Sequence, residues 1–391
     1  MNSTPILNRE QPLPPVKKKR WVPLLIGGVL GGLLVFLDTR EILPPGNAML
    51  IGFLPAFYVG VLLHELGHVA AGLSAGFELR LLSVGAFRLT REAHRWKLRF
   101  IASHILLAGG LTGMSPKSAD RLIDRYMRLV LGGPAASIIL LVISVILTLI
   151  FPDSSTVRVL LIVNLLLAIA PSLPYTVRSQ PSDAKLILLL NRKGPAAERL
   201  ASILYLLELD ARQTDPRDWP RELVEKISAP IQDKSYLGSA ASIWYADALT
   251  TGDVERIAEA LERALSESHH FGPDLQRAFY VSASCFQGIY RHHAPLAELW
   301  LESARKVKYT TSQKDWDSKA LAAIALARGE HARAHELLTR YLTVLDRCPP
   351  SGLIAAERVR TVAVMETTNS SAGSPAVPDI ASDNRLTDAV V

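Results

Sequence analysis

The chain has 391 residues, 49% of them hydrophobic and 20% charged, and its mean hydropathy is +0.20. Ordinary soluble chains are net hydrophilic, so composition argues against a wholly soluble protein and for a membrane protein with a soluble appendage. Lys+Arg 43 against Asp+Glu 37 leaves only +6, too weak a bias over this length for a nucleic-acid partner. Two cysteines, Cys285 and Cys348, exclude a disulfide scaffold and a multi-cysteine zinc site.

In chain order, residues 1–20 read as a basic N-terminal segment, with 1–16 expected to be disordered. A bilayer core about 30 Å thick needs roughly 20 apolar residues, and four stretches approach that length. The first is Trp21–Leu37. The basic run Lys17–Arg20 before it resembles a signal-peptide start, but Asp38-Thr39-Arg40-Glu41 follows instead of a small-residue cleavage site, so an uncleaved anchor is expected.

The second span runs from Ala48 to about Leu73 and contains His64-Glu65-Leu66-Gly67-His68. Two histidines at i and i+4 project from one helical face and can bind one metal. Glu65 lies beside that face, where it can hold a metal-bound water without ligating. Ionisable groups within a lipid-spanning helix are costly, which favours function over a polar cluster satisfied by neighbouring helices.

Residues 77–115 alternate partly at period two, in Glu78–Arg91 and Trp96–Ile101, around Glu92-Ala93-His94-Arg95. A hairpin is expected there, with Ala108–Met114 turning the chain toward the third span. The basic strip Arg88, Arg91, Arg95, Lys97 and Arg99 suits anionic headgroups, while an extended substrate would suit the hairpin's edge. The third span, from about Met127 to Phe151, contains Gly132-Gly133-Pro134, read as close helix packing. The fourth runs from Val157 to about Tyr175, where Pro171 and Pro174 are expected to break the helix beside protein or a water-lined cavity.

A zinc site needs a third protein ligand beyond the two histidines. Glu78 and Glu92 are the only carboxylates shortly downstream, and Asp183 is the better candidate. An alternative role for Asp183 is to cap the apolar turn Leu186–Leu190. Residues 1–20 carry five Lys/Arg and 77–125 carry nine, whereas 38–47 has one and 152–156 none. The positive-inside rule then puts both basic segments, and everything after Arg178, in the cytoplasm of a four-span protein.

The order of these features resembles the site-2 protease family of intramembrane zinc metallopeptidases. The resemblance covers about residues 48–190 and rests on His64–His68, on Gly132–Ser137, and on Asn164, Pro171, Pro174 and Asp183. Ser137 stands where many relatives have Asn, and Ala184 replaces the glycine that follows the family's aspartate. The resemblance implies zinc held by His64, His68 and Asp183, with Glu65 as general base in peptide hydrolysis. Asn164 would donate to substrate backbone or oxyanion, with an interhelical hydrogen bond as its alternative role. The implied partner is a membrane-protein substrate within the bilayer.

From about Pro195 the pattern changes to ordinary amphipathic helices. Ala246–Asp253 lines up with Ala323–Glu330 at an offset of 77 residues (Gly252 against Gly329), with a middle unit around Phe279–Ala304. This resembles a degenerate tetratricopeptide-type array, which often binds peptides, and a plain helical bundle is the alternative. The pairs His331/His335, His269-His270 and His292-His293 suit solvated faces or helix ends.

The expected architecture is therefore mostly α: a polytopic helix bundle over 21–194 with a small β-hairpin region, a cytoplasmic all-α domain over 195–365 and a disordered tail over 366–391. The expected function is that of a membrane zinc endopeptidase. A catalytically silent scaffold that recruits a protein or peptide through its cytoplasmic helices is the alternative. A transporter, also compatible with broken helices, lacks the inverted repeat expected of one.

Overall fold

The computed structural model describes residues 5–8, 46–92, 95–101, 109–177, 180–229, 236–307 and 314–370. The expected first span Trp21–Leu37 and the tail from 371 onward lie outside them. The chain forms two units, Lys17–Tyr205, and Leu206–Val391 together with Met1–Val16.

In the first unit, α1 (Gly46–Ser74), α2 (Leu122–Ile150) and α3 (Ser155–Ser172) form the helical frame. Gly52–Ser74, α2 and α3 are the three helices long and apolar enough to cross a membrane among the described residues. They match the expected second to fourth spans. The bundle is polar inside and apolar outside: Ser137, Ser144 and Asn164 are buried, while Ile139, Ile146 and Leu149 point outward, the last 78% exposed. An outward stripe of this kind is a liability in water and neutral in lipid.

Two of the expected boundaries differ. The third span's helix begins at Leu122, ahead of its apolar run, because Leu122 and Tyr126 bury against protein. Arg125 in that first turn donates to the carbonyls of Ala75 (2.7 Å) and Gly76 (2.8 Å), tying the end of α1 to the start of α2. The fourth span continues through Pro171 to Ser172, since a proline in the final turn costs few ladder bonds.

The expected hairpin is a four-stranded antiparallel sheet of order β3-β2-β1-β4: β1 (Phe77–Val84), β2 (Phe87–Glu92), β3 (Arg95–Phe100) and β4 (Gly110–Pro116). Glu78–Arg91 is thus two strands, because Gly85 takes φ +54° and turns the chain. A Cβ there would come within 2.3 Å of the Tyr58 ring, so only glycine fits. Gly110–Met114, expected as a turn, is strand, paired with β1 from Val84↔Gly110 to Phe77↔Pro116. Its glycines hide the alternation on which strand recognition depends. In β2 and β3 one face carries Phe87, Trp96, Leu98 and Phe100, all exposed, and the other carries Arg88, Lys97 and Arg99.

After α3, a two-residue bridge, β5 (Thr176–Val177) with β6 (Gln180–Pro181), leads into α4 (Asp183–Asn191). The expected border at 194/195 lies just before α5 (Pro195–Ala211), whereas the division between the units falls inside that helix.

The second unit contains α6 (Arg221–Ser228), α7 (Leu237–Thr251), α8 (Val254–Glu267), α9 (Pro273–Ile289), α10 (Ala294–Lys306), α11 (Ser318–Ala327), α12 (His331–Leu345) and α13 (Gly352–Ser370). Three helix pairs, α7/α8, α9/α10 and α11/α12, each turn on a left-handed residue: Gly252 (φ +67°), His292 (φ +50°) and Gly329 (φ +76°). The first helices of successive pairs approach closely. A Cβ on Gly288 of α9 would meet the Ala323 carbonyl of α11 at 2.4 Å.

Two segments expected to be disordered fall partly within the described residues. Ile6–Asn8 forms a turn that packs within this unit, and α13 extends past Glu366 to Ser370. Cys285 is buried, and burial pushes its thiol up to about 11, so it is inert core.

Candidate metal centre

His64 and His68, one turn apart on α1, stack edge to face with ring centroids 4.9 Å apart. His64 Nδ1 is 2.8 Å from Ser137 Oγ, and His68 Nδ1 is 3.0 Å from the Leu129 carbonyl oxygen. With both Nδ1 atoms occupied by α2, both Nε2 atoms face inward. They meet one carboxylate oxygen, Asp183 Oδ2, at 3.1 Å from His64 and 3.4 Å from His68.

Asp183 reaches this point because it is not the cap of α4. Ser182 fills that role, its Oγ accepting from Lys185 N–H (3.4 Å) and from Tyr175 N–H (3.1 Å) and donating to the Leu173 carbonyl (2.7 Å). The hydroxyl closes the loop after α3 and leaves the neighbouring carboxylate free to turn inward. Burial alone would raise the Asp183 carboxyl, but hydrogen bonds from His64 and His68 outweigh it and hold it down at about 2.

Glycines make the space. A Cβ on Gly133 would fall 2.2 Å from His68 Nε2 and 2.7 Å from His64 Nε2, within the volume between the ligating atoms. Gly67 and Gly132 oppose each other, and a Cβ on either would strike the other's carbonyl oxygen, at 2.4 and 2.3 Å. The expected packing role thus fits Gly132, while Gly133 also opens the site.

Glu65 is buried beside the cluster, its Oε2 accepting from Thr112 Oγ1 at 2.5 Å. Its other oxygen, Oε1, lies against Gly110, where a Cβ would be 2.2 Å away. Strand β4 therefore borders the site and sets the glutamate. Neither Thr112 nor Gly110 carries a sequence signal, because both stand in the run read as a turn. Asn164 donates its amide to Ser144 Oγ on α2 at 2.7 Å, and its Oδ1 faces Gly60, a turn before His64. Glu78 is engaged in the sheet by Arg91 at 3.4 Å.

The ligating atoms of His64, His68 and Asp183 all lie within 4.8 Å of one another. A helix carrying the two histidines, with a carboxylate from a later helix as the third ligand, is the arrangement expected of the site-2 proteases. The family model described as peptidase family M50 matches residues 52–313, well over half of the chain. The chain belongs to peptidase family M50. No curated protein and no solved structure matches it.

M50 members are membrane zinc metallopeptidases. The match extends beyond the expected 48–190 and through α10 of the second unit. Two imidazole nitrogens and one carboxylate suit zinc, and three protein ligands leave a position open, as in catalytic sites. The cradle at Gly133 and the two occupied Nδ1 atoms fit such an ion, since a ligating histidine needs its second nitrogen held.

Proposed function

We propose that this M50 protein is a membrane-embedded zinc endopeptidase that hydrolyses peptide bonds in transmembrane or membrane-proximal substrates. The observation that carries the reading is the convergence of His64, His68 and Asp183 from α1 and α4 on one point beside Glu65. When bound, zinc supplies Lewis-acid polarisation of the scissile carbonyl and acidification of water. Glu65 accepts the proton of the attacking water at its carboxylate and delivers it to the leaving amine nitrogen. Thr112 holds that carboxylate in one orientation, so the proton acceptor is aimed before substrate arrives.

Among the described residues β4 has no strand on its far side, so its edge suits an extended substrate adding by main-chain hydrogen bonds next to Glu65. The apolar face of β2 and β3 suits the acyl chain boundary, and the opposite face with Arg88, Lys97 and Arg99 suits anionic headgroups.

We also read the N-terminus and the second unit as cytoplasmic. Ile6–Asn8 packs within the second unit, which requires an even number of crossings between them. The three helix pairs and their turns support a repeat-type array that binds a protein or peptide partner.

The deciding experiment compares wild-type and Glu65→Gln protein purified in detergent. Both are expected to hold about one zinc, with cleavage of a membrane substrate lost only in the variant. Stoichiometric zinc retained after His64→Ala combined with His68→Ala would refute the site.

A further inference from the structure

Most partly buried carboxylates of the helical unit meet cations. Asp247 pairs with Arg221 and Arg256, Asp317 with Arg277 and Arg305, and Glu357 with Lys319 and Arg360. Glu262 on α8 does something different. Its Oε2 accepts from the backbone N–H of Ile6 at 2.9 Å and its Oε1 from that of Leu7 at 2.7 Å.

The carbonyl of Leu7 is gripped as well, by Gln287 Nε2 of α9 at 2.7 Å and Trp300 Nε1 of α10 at 3.2 Å. Gln287 and Trp300 are themselves buried, and the Leu7 side chain is only 3% exposed. Asn8 N–H closes the turn onto the Pro5 carbonyl at 3.0 Å. A residue far from these helices in sequence thus has its N–H, its C=O and its side chain all taken by three consecutive helices.

We propose that the face formed by α8, α9 and α10 is a reader of short leucine-anchored peptide turns, whose resident occupant is the chain's own Ile6-Leu7-Asn8, held as an exchangeable cis ligand. Main-chain recognition by Glu262, Gln287 and Trp300 tolerates varied sequence, and the buried leucine supplies selectivity. Leaving would strip partners from two buried donors, Gln287 Nε2 and Trp300 Nε1, so the site favours being filled over being empty. Prolines 5, 12, 14 and 15 flank the segment in sequence and lower the entropy lost on docking. Being part of the same chain, the segment competes with any free peptide for this face whatever the protein concentration. All residues of this site belong to the helical unit, so the inference stands apart from the peptidase reading.

The test uses the full chain in detergent micelles and a fluorescent peptide of residues 1–16. Leu7→Asp in the protein ejects the cis segment, and the peptide is expected to bind this variant saturably, at least about tenfold more tightly than it binds wild type. Adding Glu262→Ala to that variant should weaken peptide binding about tenfold, and a peptide carrying Leu7→Asp should not bind. Equal peptide binding to wild type and Leu7→Asp protein, or no binding to a folded Leu7→Asp protein, would overturn the proposal. If Leu7→Asp fails to fold, hydrogen exchange on wild type decides: the Ile6 and Leu7 amides are expected to be protected, and exchange at the free-peptide rate refutes the site.

Discussion

Ser137 Oγ on α2 lies 2.8 Å from His64 Nδ1 on α1. The serine thus reaches the first histidine through its hydroxyl. This contact fixes the ring so that Nε2 faces Asp183. Ser137→Ala is expected to lower zinc affinity roughly 10- to 100-fold, read by chelator competition, with thermal stability little changed. Unchanged affinity would mean that the imidazole is oriented by something else.

Gly132 and Gly133 are adjacent but differ in what they permit. Gly133→Ala would place a methyl between the two Nε2 atoms and is expected to abolish stoichiometric zinc while α2 still forms. Gly132→Ala would push against the Gly67 carbonyl and separate the helices, lowering thermal stability by about 1–3 kcal/mol. Measuring zinc content and melting temperature for both variants separates the two roles. Identical behaviour of the pair would contradict this division.

Thr112 is the only hydrogen-bond donor to the Glu65 carboxylate among the contacts described. Thr112→Val keeps the shape of the side chain and removes the hydroxyl. It is expected to reduce kcat about tenfold or more with zinc content unchanged, because general-base catalysis depends on aim. A rise in KM alone would instead place Thr112 in substrate binding.

Glu357 joins α13 to its neighbours through Lys319 and the Tyr341 hydroxyl (3.2 Å), and pairs with Arg360 within its own helix. Burial opposes its ionisation, but Lys319 and Arg360 outweigh burial and hold its carboxyl below the ordinary value of 4.5. A carboxyl lowered in the fold contributes stability above its unfolded value, and that contribution disappears as the pH falls through the folded value. Glu357→Gln is therefore expected to cost about 1–3 kcal/mol at pH 7, with the difference from wild type shrinking below pH 4.5. A melting-temperature difference that does not change with pH would rule out this ionic contribution.

Much of this protein was legible in the chain alone, because some physical demands act locally. Apolar length reveals the spans around His64, Gly133 and Asn164 wherever they end up, since lipid imposes the same requirement on every crossing helix. Histidines four apart must share a face, so the pairing of His64 with His68 follows from helical period alone. Asp183 was identified by the order of motifs, but its inward turn depends on Ser182 taking the cap. Thr112 and Gly110 were invisible because β4 lacks alternation and is a strand only by virtue of its pairing with β1. Leu7 was hidden for a related reason. A short proline-flanked segment has no structure of its own, and its conformation is set by Glu262, Gln287 and Trp300, which become neighbours only after the helices pack. Periodicity and motif spacing record what each segment can do by itself, whereas the partners of Glu65, Asp183 and Leu7 are chosen by contacts between residues far apart in the chain.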